Sequence, residues 1–282
     1  MLNTDSINKA IVWACEQEVS APKPGNVNCY SDAHQMSVQD FVKSAQAIAP
    51  ILSQKNISIG SMILKSVIAT QRVVNCNTNL GIILLFAPLC KAIHGCHTRE
   101  QLPESLRTLL NDLTLEDTKK AYEGIRLAKA GGLGRSKMHD ISNEPTVTLR
   151  QAMEYAKDRD SIAAQYLNNY HDIFDLGLRN LTSSINCGES IEWASAFAYL
   201  NLLSAMPDSL VIRKQGLPCA KSLVNKAKEI LRKTNKNNKL SKLECDIILW
   251  DKELKQKAIN PGTTADMTAA TLLVYAFEQE LS

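Results

Sequence analysis

The sequence predicts an all-α protein, and three observations carry this prediction. Apolar residues recur every three or four positions through most of the 282 residues, which is the spacing of one helix face. No stretch alternates apolar and polar residues between turn signals, as a half-buried strand would. Several apolar runs follow residues that commonly cap helix N-termini. We therefore expect one all-α domain over residues 1–282 with ten or more helices.

The predicted helices follow from apolar spacing and from cap-like residues. In the first hundred residues, four apolar faces lie within 7–14, 41–49, 63–68 and 82–89. Further helices are predicted over about 149–157, 160–186, 190–205 and 218–232. Helix starts are expected at Ser37 to Asp40, Thr114 to Asp117 and Ser241 to Glu244. The Gly- and Pro-containing segments are then loops between helices, which argues against a Rossmann or Walker-type phosphate site.

Composition excludes several classes of protein. Hydrophobic residues make up 45% and charged residues 22%, and no uncharged apolar run approaches the length of a membrane span, so we expect neither a disordered nor a membrane-spanning chain. The N-terminus lacks the basic and apolar regions of a secretory signal, so a cytoplasmic protein is expected. Positive charge is concentrated between Lys226 and Lys242 without interleaved aromatic residues, which argues against a nucleic-acid partner. The eight cysteines form no CxxC pair, so reduced thiols are expected.

Two segments near the chain ends have the composition of phosphate-binding loops. Asn260 to Asp266 is predicted to be a turn followed by a helix N-terminus, where free N–H groups and the helix dipole favour anions. Pro22 to Asn28 is a second turn, in which Lys23 would supply positive charge. Each segment taken alone is also consistent with an ordinary capped turn.

Four further polar clusters supply the other groups that phosphate chemistry needs. They are Asn75 to Gly81, Gly131 to Glu144, Asp208 to Gly216 and Trp250 to Glu253. Their arginine and lysine side chains can neutralise phosphates, and their carboxylates can hold magnesium. For single residues other interpretations stay open: loop histidines with local hydrogen bonds, and ion pairs of Arg213 with Asp208 and of Asp251 with Lys255.

Four segments occur in an order that resembles the triphosphoribosyl-dephospho-CoA synthase family. They are Pro22 to Val27, Asn77 to Gly81, Ile212 to Gly216 and Asp251 to Asp266, which together span nearly the whole chain. The resemblance implies an all-α enzyme that transfers the triphosphoribosyl group of ATP to a ribose hydroxyl of dephospho-CoA and releases adenine. The product is then the precursor of the prosthetic group of citrate and malonate lyase-type acyl carrier proteins.

The chain departs from the family pattern at several of these positions. Members usually carry Thr-His-Lys-Gly where this chain has Thr78 to Gly81, and Ser-Pro-Gly-Gly where it has Asn260 to Thr263. A carboxylate is missing beside His34, and the glycine-rich loop before Arg135 also differs. These variants are similar to the divergent branch found in methylotrophs and archaea, which is associated with tetrahydromethanopterin-type cofactor biosynthesis.

Residue type assigns roles within the predicted site. Breaking an N-glycosidic bond builds up positive charge on the ribose, so the reaction needs nearby carboxylates and a proton donor for the departing base. The predicted catalytic residues are His34, His139 and Asp140, and the predicted Mg²⁺ ligands are Asp251 and Asp266. The predicted nucleotide- and phosphate-binding residues are Lys23, Gly25, Asn26, Asn77, Thr78, Asn79, Gly81, Arg135, Arg213, Lys214, Asn260, Gly262, Thr263 and Thr264.

We therefore expect a Mg²⁺-dependent transferase that acts on ATP and on dephospho-CoA or a related acceptor. A homodimer is allowed for, and neither a membrane nor a nucleic-acid partner is expected. Three alternatives stay open: a related transferase of tetrahydromethanopterin-type C1-carrier biosynthesis, a Mg²⁺-dependent nucleotide or ADP-ribosyl hydrolase, and a nucleotide-binding protein without catalytic activity. The fate of the adenine base distinguishes a transferase from a silent binding protein.

Overall fold

The computed structural model describes residues 1–30, 37–74, 79–129, 134, 136, 138–235 and 239–281. This part of the chain contains fourteen α-helices and no β-strand, so the all-α prediction with ten or more helices is confirmed. The helices are α1 Thr4–Ser20, α2 Val38–Leu52, α3 Ile59–Val73, α4 Leu80–Ile93, α5 Leu102–Asn111, α6 Leu115–Ala128, α7 Leu149–Ala156, α8 Ser161–Asn168, α9 Arg179–Asn186, α10 Ile191–Ala205, α11 Ser209–Gln215, α12 Leu217–Asn235, α13 Glu244–Gln256 and α14 Gly262–Glu280.

The chain forms two compact units. The first unit consists of Met1–Trp13, Asp40–Tyr170 and Leu273–Ser282. The second unit consists of Ala14–Gln39 and His171–Leu272. The expectation that residues 1–282 form one domain stays a prediction.

In the first unit, α4 is buried on almost all sides and contains Pro88. Proline has no backbone N–H, so the carbonyl of Leu84, four residues earlier, lacks its usual partner within the helix. The hydroxyl of Tyr166 donates to that carbonyl at 2.7 Å, and the hydroxyl of Tyr170 donates to the carbonyl of Leu85 at 3.1 Å. Two buried tyrosines therefore donate hydrogen bonds to carbonyls in the helical turn before Pro88.

Of the predicted helix starts, the one at Thr114 to Asp117 is a capping box, as expected. The Asp117 carboxylate also accepts a hydrogen bond from the N–H of Gly60 at 2.8 Å, which joins α6 to the start of α3. The predicted start at Ser241 is wrong, because α13 begins at Glu244 after a short 3₁₀ turn. The N–H and hydroxyl of Ser241 donate instead to the carboxylate of Glu189.

The long helix predicted over 160–186 is broken. Asn169 and Tyr170 have φ angles of 55° and 62°, which end α8, and a π-helical segment, Asp172–Leu178, precedes α9. Within the π-helical segment, Gly177 lies against Thr271 of α14, where a β-carbon on residue 177 would be 2.2 Å from the threonine hydroxyl oxygen. The close approach of the two helices therefore depends on this glycine.

The second unit has its own apolar core, built mainly from α10, α12 and α13. Leu200, Leu223, Ile230 and Trp250 are among its buried residues. The seven cysteines in the described ranges form no disulfide bond with one another, and those at 15, 90 and 96 are buried. Within those ranges, no helix is by itself both long and apolar enough to cross a membrane; the bent pair α10 and α11 reaches that length and composition only when both helices are taken together.

Candidate functional site

The loop from Ala21 to Asn28 in the second unit is built around the buried ammonium group of Lys23. This group donates to the carbonyl of Glu18 at 2.6 Å and to the carbonyl of Val27 at 2.9 Å, and it lies 3.0 Å from the Glu18 carboxylate. Burial lowers the pKa of Lys23 and raises the pKa of Glu18, while the attraction between the two charges opposes both shifts. The three donors of the ammonium group thus face groups of the protein.

Asp251 of α13 forms hydrogen bonds to the same 21–28 loop. Its Oδ1 accepts hydrogen bonds from the N–H of Gly25 at 2.8 Å and from the side-chain amide of Asn28 at 3.1 Å. Its Oδ2 lies 2.9 Å from the ammonium group of Lys255, so the predicted ion pair of these two residues is present. The loop backbone is fixed further by the buried hydroxyl of Tyr199, which donates to the carbonyl of Pro24 at 2.9 Å.

Asn26 and Asn260 join the two phosphate-type loops predicted from the sequence. The amide nitrogen of Asn26 donates to the side-chain oxygen of Asn260 at 2.8 Å, and this contact is only partly buried. An asparagine side chain has two N–H donors and an oxygen that accepts two bonds, so within the described part of the chain the pair keeps donors and an acceptor for a further partner. Gly25 is packed so closely that a β-carbon there would lie 2.8 Å from the carbonyl oxygen of Ile259.

The start of α14 is occupied by a carboxylate of the protein itself. Asp208, the N-cap residue of α11, accepts hydrogen bonds from the N–H of Thr264 at 2.7 Å and from its hydroxyl at 2.8 Å. Burial raises the pKa of Asp208, although these hydrogen bonds and the charge of Arg213 oppose that shift. A helix N-terminus favours an anion, and here Asp208 supplies it.

The remaining groups at the start of α14 are also largely engaged. The N–H of Gly262 donates to the carbonyl of Asn260 at 2.8 Å, and the hydroxyl of Ser209 donates to that of Thr263 at 3.0 Å. Asp266 lies one turn further along α14 and is half-buried. The predicted open phosphate cradle at this helix start is therefore mostly filled by protein contacts.

Arg213 and Lys214 occupy the last turn of α11 in the second unit. Arg213 is half-buried and Lys214 is exposed, so these two cations are more accessible than Lys23. Both lie on α11, the helix whose N-terminus Asp208 caps. The second unit thus brings together Gly25, Asn26, Asn260 and Asp251, with Asp208 joining the start of α14 to α11.

Asn79 and Gly81 belong to the first unit, at the start of α4. The side-chain oxygen of Asn79 accepts a hydrogen bond from the hydroxyl of Thr70 at 3.0 Å. Its amide nitrogen is buried and has no hydrogen-bond partner among the residues that the structure describes. This unsatisfied donor lies where the sequence predicts a nucleotide contact.

His139 and Asp140 also belong to the first unit, and both shape a turn. The Asp140 carboxylate accepts hydrogen bonds from the N–H groups of Ser136 and Ser142, at 2.5 and 2.9 Å. His139 has a φ of 50°, and its ring lies 4.3 Å from that of Tyr155. Their predicted catalytic roles stay predictions, as does that of His34, which lies outside the described residues. Asn77, Thr78 and Arg135 also lie outside them, and their predicted nucleotide- and phosphate-binding roles likewise stay predictions.

The donor set around Asp251 does not fit the predicted magnesium site. Three donors, two N–H groups and an ammonium group, already point at its two carboxylate oxygens. A Mg²⁺ ion requires oxygen ligands in near-octahedral geometry, and a neighbouring ammonium group opposes a second cation. In the described ranges, no three side chains of His, Cys, Asp or Glu are grouped to hold a metal ion.

Four residues of this arrangement are absent from the predicted site: Glu18, Asn28, Tyr199 and Asp208. A signal for Glu18 was present in the sequence, because Pro22 follows it by four residues and removes the N–H that its carbonyl would accept. Asp208 also precedes an apolar run as an N-cap residue does. Asn28 and Tyr199 carry no comparable local signal.

Of the comparisons with known proteins, one identifies a family and another a similar fold. A family model described as CitG, ATP:dephospho-CoA triphosphoribosyl transferase, matches residues 4–282. Among curated proteins, none is significantly similar to this chain. The fold is similar to the crystal structure of a "putative triphosphoribosyl-dephospho-coA synthase" from Archaeoglobus fulgidus, with a TM-score of 0.64 and 24% sequence identity over 84% of this chain and 98% of that chain. At that identity the likeness shows a shared fold.

Proposed function

Since this chain belongs to the CitG family of ATP:dephospho-CoA triphosphoribosyl transferases, we propose that it binds ATP as donor and transfers the triphosphoribosyl group to dephospho-CoA or a related acceptor. The acceptor hydroxyl oxygen forms a bond to the anomeric carbon of the ATP ribose, and the bond from that carbon to the adenine nitrogen breaks. The hydroxyl proton is lost to a base, and adenine leaves with a proton. The triphosphate stays on the transferred ribose.

The observation that carries the proposal is the contact between Asn26 and Asn260. It joins two loops that the sequence marks as nucleotide-binding, and it leaves amide donors and an acceptor at a partly buried position. Asparagine amides recognise an adenine edge by pairing a donor and an acceptor with it. We assign this amide pair to the base or the ribose of ATP.

The triphosphate is assigned to the accessible cations Arg213 and Lys214. An arginine binds phosphate oxygens through two parallel N–H groups, and a lysine adds a point charge. The segment beside Asn260 is formed by Gly262, Thr263 and Thr264, whereas Asp208 occupies the N-terminus of α14. In the first unit, the amide nitrogen of Asn79 has no hydrogen-bond partner among the described residues, which supports its predicted nucleotide contact.

We assign the expected Mg²⁺ ion to the phosphates of the substrate rather than to Asp251. Mg²⁺ commonly reaches a nucleotide site bound to the phosphates and held by one or two carboxylates. Asp266 is the remaining carboxylate candidate among the predicted ligands. A cytoplasmic location, a homodimer and the absence of a nucleic-acid or membrane partner stay predictions.

The first experiment incubates the purified protein with Mg²⁺ and ATP, with and without dephospho-CoA, and follows adenine and new adducts by chromatography and mass spectrometry. We expect adenine release that requires dephospho-CoA, together with the triphosphoribosyl adduct. Adenine without an adduct would indicate a hydrolase. If ATP stays intact, the protein either uses a different acceptor or binds nucleotide without catalysing a reaction. Pterin precursors are then the next acceptors to test.

A variant pair tests the amide contact. Asn26→Ala and Asn260→Ala should each raise the KM for ATP about tenfold, because a recognition site loses on the order of 1–3 kcal/mol with one paired amide. Asn225→Ala, on the exposed face of α12, is the matched control and should change nothing. Unchanged KM values in both loop variants would contradict the assignment.

A further inference from the structure

The buried ion pair of Glu18 and Lys23 is unusual because a loop lysine beside a nucleotide site is expected to face its ligand. Lys23 is fully buried and Glu18 is 2% exposed. Isolated charges are very costly to bury, so each of these two groups depends on the other. Neither can reach a ligand without leaving its partner.

The local chemistry explains why the ammonium group points inward. The carbonyl of Glu18 would accept a helical hydrogen bond from residue 22, but Pro22 has no N–H. The Lys23 ammonium group supplies that bond at 2.6 Å, while the N–H of Ala21 reaches the same carbonyl only at 3.3 Å. Lys23 therefore replaces the missing proline N–H at the end of α1.

The same ammonium group also fixes the far end of the loop. Its second bond goes to the carbonyl of Val27, so one side chain links the last turn of α1 to the residue next to Asn26. The carbonyl of Lys23 in turn accepts hydrogen bonds from the backbone N–H of Asn26 and from the side chain of Asn28, at 3.2 Å each. The position of the Asn26 side chain thus depends on this clamp.

We propose that Glu18 and Lys23 are positioning residues for the transfer reaction: they hold the 21–28 loop so that Asn26 meets both Asn260 and the nucleotide. The inference rests on the proposed function, since it takes Asn26 as a substrate contact. It gives Lys23 no direct contact with phosphate. Glu18 becomes a residue on which the reaction depends although it lies in the last turn of a helix and touches no substrate.

The test compares Glu18→Gln, Lys23→Met and the double variant, with Lys221→Met on the exposed face of α12 as control. We measure kcat, the KM for ATP, the binding of inorganic tripolyphosphate, and hydrogen–deuterium exchange of the peptide covering 19–30. Glu18→Gln keeps the size of the side chain, so it remains informative if Lys23→Met does not fold.

For a positioning pair that acts through Asn26, both single variants should raise the KM for ATP about tenfold, as Asn26→Ala does, because each misplaces the same recognition amide. The double variant should be no worse than the more damaging single one, because both changes release the same loop. Exchange of the 19–30 peptide should accelerate in all three variants, while tripolyphosphate binding stays unchanged.

Two results would overturn the proposal. If Lys23→Met weakens tripolyphosphate binding while Glu18→Gln leaves the KM for ATP unchanged, Lys23 is a direct phosphate ligand. If exchange of the 19–30 peptide is unchanged in Glu18→Gln, the pair does not clamp the loop. Failure of the proposed function is recognised separately, because the wild-type protein would then release no adenine while the exchange measurement still reports on the clamp.

Discussion

Replacing Gly25 by alanine should destabilise the protein more than the same change at another glycine with a similar φ angle. Gly25 has a φ of 84°, and a β-carbon there would lie 2.8 Å from the carbonyl oxygen of Ile259 and 3.0 Å from Leu254 and Pro261. The left-handed conformation costs an alanine about 1–2 kcal/mol. Crowding against backbone in a packed region adds about 1–3 kcal/mol. We expect Gly25→Ala to lower the free energy of unfolding by about 2–5 kcal/mol in total.

Gly188 is the matched control in the same unit. Its φ is 81°, it is exposed, and an added β-carbon would meet only the end of the Lys239 side chain, at 3.3 Å. Gly188→Ala should therefore show the conformational cost of about 1–2 kcal/mol alone. Urea unfolding of both variants measures the difference. Equal losses would refute the reasoning, because the packing of Gly25 against Ile259 would then contribute nothing.

Three further predictions concern other buried contacts. Asp251→Asn replaces an acceptor that faces three donors, so the free energy of unfolding should fall by about 2–4 kcal/mol. If the variant instead changes only the Mg²⁺ dependence of turnover, Asp251 is a metal ligand. Burial tends to raise the pKa of Asp117, but its hydrogen bonds outweigh burial and lower the pKa. Its contribution to stability is therefore present above the pKa of an aspartate in the unfolded chain and is lost as the pH falls through the lowered pKa of the folded protein. The acid-induced fall in urea midpoint should be smaller in Asp117→Asn. Gly177→Ala should cost about 1–3 kcal/mol through its clash with the Thr271 hydroxyl, and part of this loss should be recovered when Thr271→Ala is added.

Features carried by local sequence could be predicted. The capping box at Thr114 needs only residues three apart, and apolar spacing marks a helix wherever one face is buried. Family membership followed from four ordered motifs, which no single motif would have supported. The break at Asn169 and Tyr170 could not be predicted in the same way, because neither glycine nor proline interrupts the apolar pattern there.

The candidate site was harder to predict because its side chains are committed by contacts between distant segments. From residue type alone, Asp251 is predicted to be a metal ligand and Lys23 a phosphate ligand. Asp251 instead meets Gly25, which is 226 residues away, and Lys23 turns inward to satisfy Glu18. Asp208 likewise reaches Thr264 across 56 residues. A carboxylate or an ammonium group is available to a ligand only when the fold leaves it unpaired, and spacing along the sequence does not record that.

The pairing of Asn26 with Asn260 also bears on how the protein is made. The two residues are 234 positions apart, so at about 5–20 residues per second the ribosome needs on the order of ten to fifty seconds to complete the second partner after the first. Glu18 and Lys23 are only five positions apart and can pair as soon as α1 has formed. The N-terminal loop can thus acquire its shape early and present Asn26 and the Gly25 N–H as a docking template. The later-made helices α13 and α14 then bind to this template, so the proposed nucleotide site is completed only after the start of α14 has been made.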